Sequence, residues 1–160
     1  MNQIVPSKRQ GTDLITPETE DFVTMLIEVH LFGIPVLTVQ DVLGPQKITR
    51  IPLAPREIAG SLNLRGRIVT AIDVRLRLDL PPRTTETKGM SVVVDQGGEL
   101  YSLMVDTVGE VLSLPQAKFE RNPPTLDPKW REFSLGIYRL EGNLLVVLDV
   151  GRLLDFNRSE

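Results

Sequence analysis

Cysteine is absent from the 160 residues, which excludes disulfides, thiolate catalysis and cysteine-ligated metals and fits a reducing compartment. With His30 the single histidine, a His-rich metal site is excluded as well. No run of Lys or Arg exceeds two residues, and 18 basic against 21 acidic side chains leave a net charge of −3. Attraction to nucleic acid or to an anionic membrane therefore does not drive function. Apolar runs are short, punctuated by 12 prolines and 12 glycines, and the Met1 end is polar, so neither a membrane span nor a secretory signal is expected. These absences point to the cytoplasm. Also missing are a glycine-rich phosphate loop with its lysine, a dinucleotide fingerprint and a nucleophile elbow, so an enzyme has little footing and no cofactor is expected.

What remains is an ordinary globular composition, 41% hydrophobic and 24% charged, enough for one domain or two small lobes. The stretch 63–75, Asn-Leu-Arg-Gly-Arg-Ile-Val-Thr-Ala-Ile-Asp-Val-Arg, carries the most information. Arg65-Gly66 separates two apolar runs, and Gly66 permits the positive φ that tight hairpins need, so Arg65 is expected at a hairpin tip in water. A guanidinium held by a short turn loses little entropy on meeting a carboxylate, which suits docking. A solvated turn arginine is the plainer reading.

Residues 1–20 are polar and read as a mobile tail. Strands are expected over 22–29, 33–42, 58–72 as a hairpin, 90–95, 100–105, 108–114, 135–140 and 144–149. Pro35 is tolerated in its strand only at an edge or bulge. Asp73 is placed to cap a helical turn that Pro81-Pro82 ends, 83–88 forms a polar joint, 130–133 a brief turn, and 150–156 a short amphipathic helix. Many short strands with Gly and Pro turns argue for an all-β fold of small barrels or a sandwich.

An internal repeat sharpens this picture. Residues 60–80 lie without gaps on 136–156, matching Gly60 to Gly136, Gly66 to Gly142, Asp73 to Asp149 and Leu78 to Leu154. Residues 31–43 likewise lie on 100–112, matching Phe32 to Tyr101, Val36 to Val105 and Asp41 to Glu110. Two similar lobes follow, about 21–85 and 86–156 within a single domain, sharing an apolar seam because a lobe so small is marginal alone. Asp73 and Asp149 resemble a catalytic carboxylate pair, which would make a hydrolytic or small-molecule-binding β protein. Recurrence in both copies is more simply a cap that both copies need. Positions that differ between copies are the better functional candidates: Glu141 replaces Arg65 at the corresponding tip, and Arg139 replaces Asn63. His30, Trp130, Met25, Met90 and Met104 read as packing residues.

The segments Ile48-Thr49-Arg50-Ile51-Pro52, Ile58-Ala59-Gly60 and Asn63-Leu64-Arg65-Gly66-Arg67-Ile68-Val69, with Val39-Gln40-Asp41-Val42 and the valine-rich stretch 105–112, resemble the CheW family of bacterial chemotaxis coupling proteins. The resemblance spans about 22–156. It implies two SH3-like five-stranded β-barrels around a common core, with short helical turns and a short C-terminal helix. It also implies a non-enzymatic adaptor joining methyl-accepting receptors to the histidine kinase CheA, or an adaptor of the same fold in surface motility or gene regulation. By the same resemblance Arg65, Asp41 (usually glutamate in the family), Val39, Thr49, Gly60, Asn63 and Gly66 fall on receptor and array contacts, and Val92 on the kinase side. Ser102 stands where glycine is common.

Overall fold

The computed structural model describes residues 18–82 and 89–156. Most of the expected tail, 1–17, and the polar joint 83–88 therefore lie outside the described residues, while Thr19 and Glu20 already belong to the first strand. Ten strands follow: β1 (Thr19–Ile27), β2 (His30–Pro35), β3 (Val39–Leu43), β4 (Ile58–Leu64), β5 (Arg67–Asp73), β6 (Met90–Gln96), β7 (Glu99–Val105), β8 (Thr107–Pro115), β9 (Ser134–Leu140) and β10 (Asn143–Leu148). Three single-turn helices accompany them: α1 (Val74–Arg77), α2 (Pro128–Arg131) and α3 (Val150–Leu153).

The expected strand at 33–42 breaks in two. Pro35, which lacks an N–H for a ladder, ends β2. A 3-10 turn at Val36–Thr38 then redirects the chain before β3 begins. The redirection matters because β2 and β3 belong to different sheets. One five-stranded sheet has the order β8-β1-β2-β10-β9 and the other β3-β6-β7-β5-β4. Advancing every strand number by five, modulo ten, converts either order into the other. Both sheets also place one parallel pair at the same point, β2 with β10 and β5 with β7.

This equivalence bears on the division at 85/86. The two sequence copies are β1 to α1 and β6 to α3, but neither copy makes a sheet by itself. Each keeps its first two strands in one sheet and sends its last three to the other. The sheets are thus interlaced, and the division between them does not follow the division between repeats. Self-similarity reveals copies, whereas the assignment of strands to sheets depends on partners distant in the chain.

Packing repeats the duplication. Phe22, Tyr138, Leu145 and Val147 cluster within the first sheet, and Leu62, Val69, Ala71, Val93 and Leu100 within the second. Between the sheets runs the largest cluster, with Met25, Phe32 and Ile34 from one side and Val92, Leu103 and Val105 from the other. This is the shared seam that two small lobes require. Arg77 ties it further: its guanidinium donates to the carbonyls of Leu153 at 2.8 Å, Arg152 at 3.2 Å and Asp155 at 3.0 Å. It also lies 4.7 Å and 4.2 Å from the centres of the Phe133 and Phe156 rings. A cation at the end of α3 suits the unpaired carbonyls there.

Candidate docking surface

Arg65 lies at the tip of the β4–β5 hairpin. The turn has two residues, and φ is 52° at Arg65 and 84° at Gly66, the pattern of a type I′ turn whose twist matches the flanking strands. Asn63 steadies it by accepting the Gly66 N–H on Oδ1 at 2.9 Å. Arg65 does not stand free. Its Nη2 lies 3.0 Å from Oδ2 of Asp41, with the two side chains 76% and 25% exposed. β3 and β4 are opposite outer strands of one sheet, so this ion pair shows how far the sheet curls. Asp41 Oδ1 also accepts the Val42 N–H at 2.9 Å, which aims the carboxylate. Ile68, opposite Asn63 in register, is 75% exposed, and Val42 beside Asp41 is also exposed. A charged pair bordered by apolar side chains results, a composition suited to protein docking.

The corresponding place in the second copy has the opposite character. The counterparts of Asp41 and Arg65 are Glu110 and Glu141, both acidic and both exposed. Like charges form no pair there, and Arg139 instead meets Glu120 at 3.0 Å. The two hairpin tips therefore differ in charge, as comparison of the copies indicates.

The remaining candidates divide into surface and framework. Thr49 is exposed, and its backbone exchanges two 2.8 Å hydrogen bonds with Ser61. Gly60 is buried beneath it: a Cβ built there would lie 2.1 Å from the Thr49 carbonyl oxygen. Its role is to let two chain segments approach, so it is not itself a contact surface. Val39 is half-buried and packs on the central core. Val92 requires correction, because it is 0% exposed within that core and presents nothing to a partner. β6 is the second strand of its sheet, between β3 and β7, a position invisible without the topology.

Asp73 and Asp149 are both caps, accepting from the N–H of Leu76 and of Arg152, each at 3.2 Å. Trp130 donates its indole N–H to the Leu78 carbonyl at 3.0 Å and meets the His30 ring edge-on at 4.6 Å. Both aromatic groups act in packing. Among the described residues no cluster of three or more His, Cys, Asp or Glu is placed to hold a metal.

Arg75 is the residue that sequence reasoning missed. It is 9% exposed, with Nη2 2.6 Å from Asp106 Oδ2, Nε 3.1 Å from Asp106 Oδ1 and Nη1 3.3 Å from Glu28 Oε2. Asp106 raises the guanidinium pKa above its ordinary value against the opposing effect of burial, and Glu28 and Asp73 add to the rise. A signal was present: the repeat lays Arg75 on Gly151, a difference as sharp as that between Arg65 and Glu141.

Fold and surface together define a duplicated all-β binding module whose two copies expose different charges. The chain belongs to the CheW-like domain family, whose model matches residues 21–157. It is 29% identical over 135 residues to the chemotaxis protein CheW of Klebsiella aerogenes, covering 84% of this chain and 81% of that one. It is 25% identical over 141 residues to CheW of Bacillus subtilis, covering 88% and 90%. The crystal structure of the scaffolding protein TtCheW from Thermoanaerobacter tengcongensis superposes with a TM-score of 0.79 at 28% identity, covering 89% of this chain and 97% of that one. No helix among the described residues is long and apolar enough to cross a membrane.

Proposed function

We propose that this protein is a chemotaxis adaptor that couples methyl-accepting receptors to the histidine kinase CheA at the cytoplasmic face of a receptor array. The observation that carries the proposal is the Arg65–Asp41 ion pair on an exposed hairpin tip, in a chain of the CheW-like family. Arg65, Asp41, Asn63 and Gly66 form the receptor and array contact, Ile68 and Val42 contribute apolar area, and Thr49 continues the surface along β4. Affinity comes from buried apolar area, while the charges set register. The chain performs no chemistry: receptor state alters how receptor and kinase share the adaptor, a coupling of two binding equilibria.

Substituting Arg65→Glu tests this reading. Facing Asp41, the new carboxylate repels where the guanidinium attracted. The variant is expected to keep its circular dichroism spectrum and to co-sediment with receptor and kinase at least about tenfold more weakly. Co-sedimentation equal to that of the wild type would remove Arg65 from the mechanism.

A further inference from the structure

Ser102 is completely buried, and its Oγ is, among the described residues, the one buried side-chain nitrogen or oxygen without a hydrogen-bond partner. A hydroxyl taken from water and given no partner destabilises the fold around it. Ser102 sits in the middle strand of the second sheet, opposite Val93 of β6 and Ala71 of β5. Its side chain therefore shares their face and enters the cluster of Leu62, Val69, Ala71, Val93 and Leu100. Ser91, two positions from Val93 on the same face, is buried as well.

The other copy fills the same place without a hydroxyl. The repeat lays Ser102 on Gly33 and Val69 on Leu145, and a Cβ added to Gly33 would lie 3.2 Å from the Leu145 side chain. In one sheet leucine fills the space that serine and valine share in the other. Two rings also anchor the first cluster, Phe22 and Tyr138, edge to face at 5.5 Å, whereas the second contains no aromatic residue. The sheet with the weaker core is the one that carries Arg65 and Asp41.

Leu43 of β3 and Leu62 and Leu64 of β4 pack in the second cluster, so it joins the same two outer strands that the Arg65–Asp41 ion pair joins at the surface. In the free protein each of those charges faces the other. A partner that takes up either charge parts the hairpin tip from β3, and the core beneath resists the parting. We propose that Ser102 softens this core: its unpartnered hydroxyl lowers the cost of moving the β4–β5 hairpin away from β3, so that the docking surface opens to its partner. This deepens the adaptor reading and rests on it. Opening and docking then share one equilibrium, and whatever stabilises the closed sheet weakens binding.

Hydrogen exchange of the full-length chain, followed by mass spectrometry and joined to calorimetric titration with receptor cytoplasmic fragment, tests the proposal. In the wild type β3, β4 and β5 are expected to exchange faster than their counterparts β8, β9 and β10. Ser102→Ala removes the hydroxyl and keeps the Cβ, so its Tm is expected to rise by about 2–6 °C. Exchange in β3, β4 and β5 is expected to slow about fivefold or more, and receptor affinity to fall about threefold or more. Joint Ser102→Gly and Val69→Leu substitution, which installs the packing of the first copy, is expected to act in the same direction on all three readouts. Slower local exchange joined to weaker binding supports the proposal. A Tm that does not rise in Ser102→Ala shows that the hydroxyl is satisfied and overturns it, as does slowing spread evenly over both sheets. If the wild type binds no receptor fragment, the adaptor reading fails and the proposal with it; if it binds, and Ser102→Ala with slowed exchange binds equally well, only the opening role of Ser102 is lost.

Discussion

Two arginines ten positions apart, Arg65 and Arg75, have opposite surroundings. Arg65 pairs with Asp41 in water, where an exposed pair contributes at most about 1 kcal/mol. Arg75 pairs with Asp106 away from water, and Glu28 and the Pro81 carbonyl complete its shell. Removing Arg75 takes two charge-assisted hydrogen bonds from a largely buried Asp106, at a cost of about 3 kcal/mol. Urea unfolding is therefore expected to show Arg75→Ala destabilised by about 3 kcal/mol and Arg65→Ala by less than about 1 kcal/mol. Equal losses would mean that the two pairs are solvated alike. Arg65 is legible in the sequence because its turn is local. Arg75 is not, because its carboxylates come from positions 31 and 47 residues away.

At the scale of the element, duplication becomes visible as repeated close approaches. Gly60 packs beneath Thr49, and Gly136 beneath Glu120, where a Cβ would lie 2.5 Å from the carbonyl oxygen. Matching bridges join Thr49 to Ser61 and Glu120 to Ile137. In each case a backbone carbonyl that cannot turn aside obstructs the added carbon, and at Gly136 the Phe119 ring also stands in the way, at 2.4 Å. Gly60→Ala and Gly136→Ala are each expected to cost at least about 2 kcal/mol, measured by thermal melts. Gly44→Ala, with nothing within 4 Å of its added carbon, is expected to fall within about 0.5 kcal/mol of the wild type. The recurrence of these glycines is plain in the sequence. Its cause lies in the bridges, which join segments that no local rule pairs.

The whole molecule unites two copies by exchanging strands between them. A fragment holding only the first copy would contribute two strands to one sheet and three to the other, with the edges of both left open. Such edges expose apolar faces and unpaired N–H and C=O groups. Residues 1–85 and 86–160 expressed separately are thus expected to be unfolded or aggregated, and mixing them is expected to restore the β-sheet spectrum. Independent folding of either fragment would contradict the interlaced arrangement. The seam that runs from Met25 and Phe32 to Val92 and Val105 makes the same point energetically, since each copy supplies only part of each of its walls.

Turn chemistry, apolar alternation and self-similarity are local properties, so the sequence by itself determined the hairpins, the duplication, the two aspartate caps and the opposite charges of the two tips. It also carried the family likeness. Which strands share a sheet, why Val92 is hidden, how Arg65 finds Asp41 and how Arg75 is enclosed were decided only by the tertiary structure. Each of these depends on segments far apart in the chain meeting in space, and no rule about neighbouring residues contains that information.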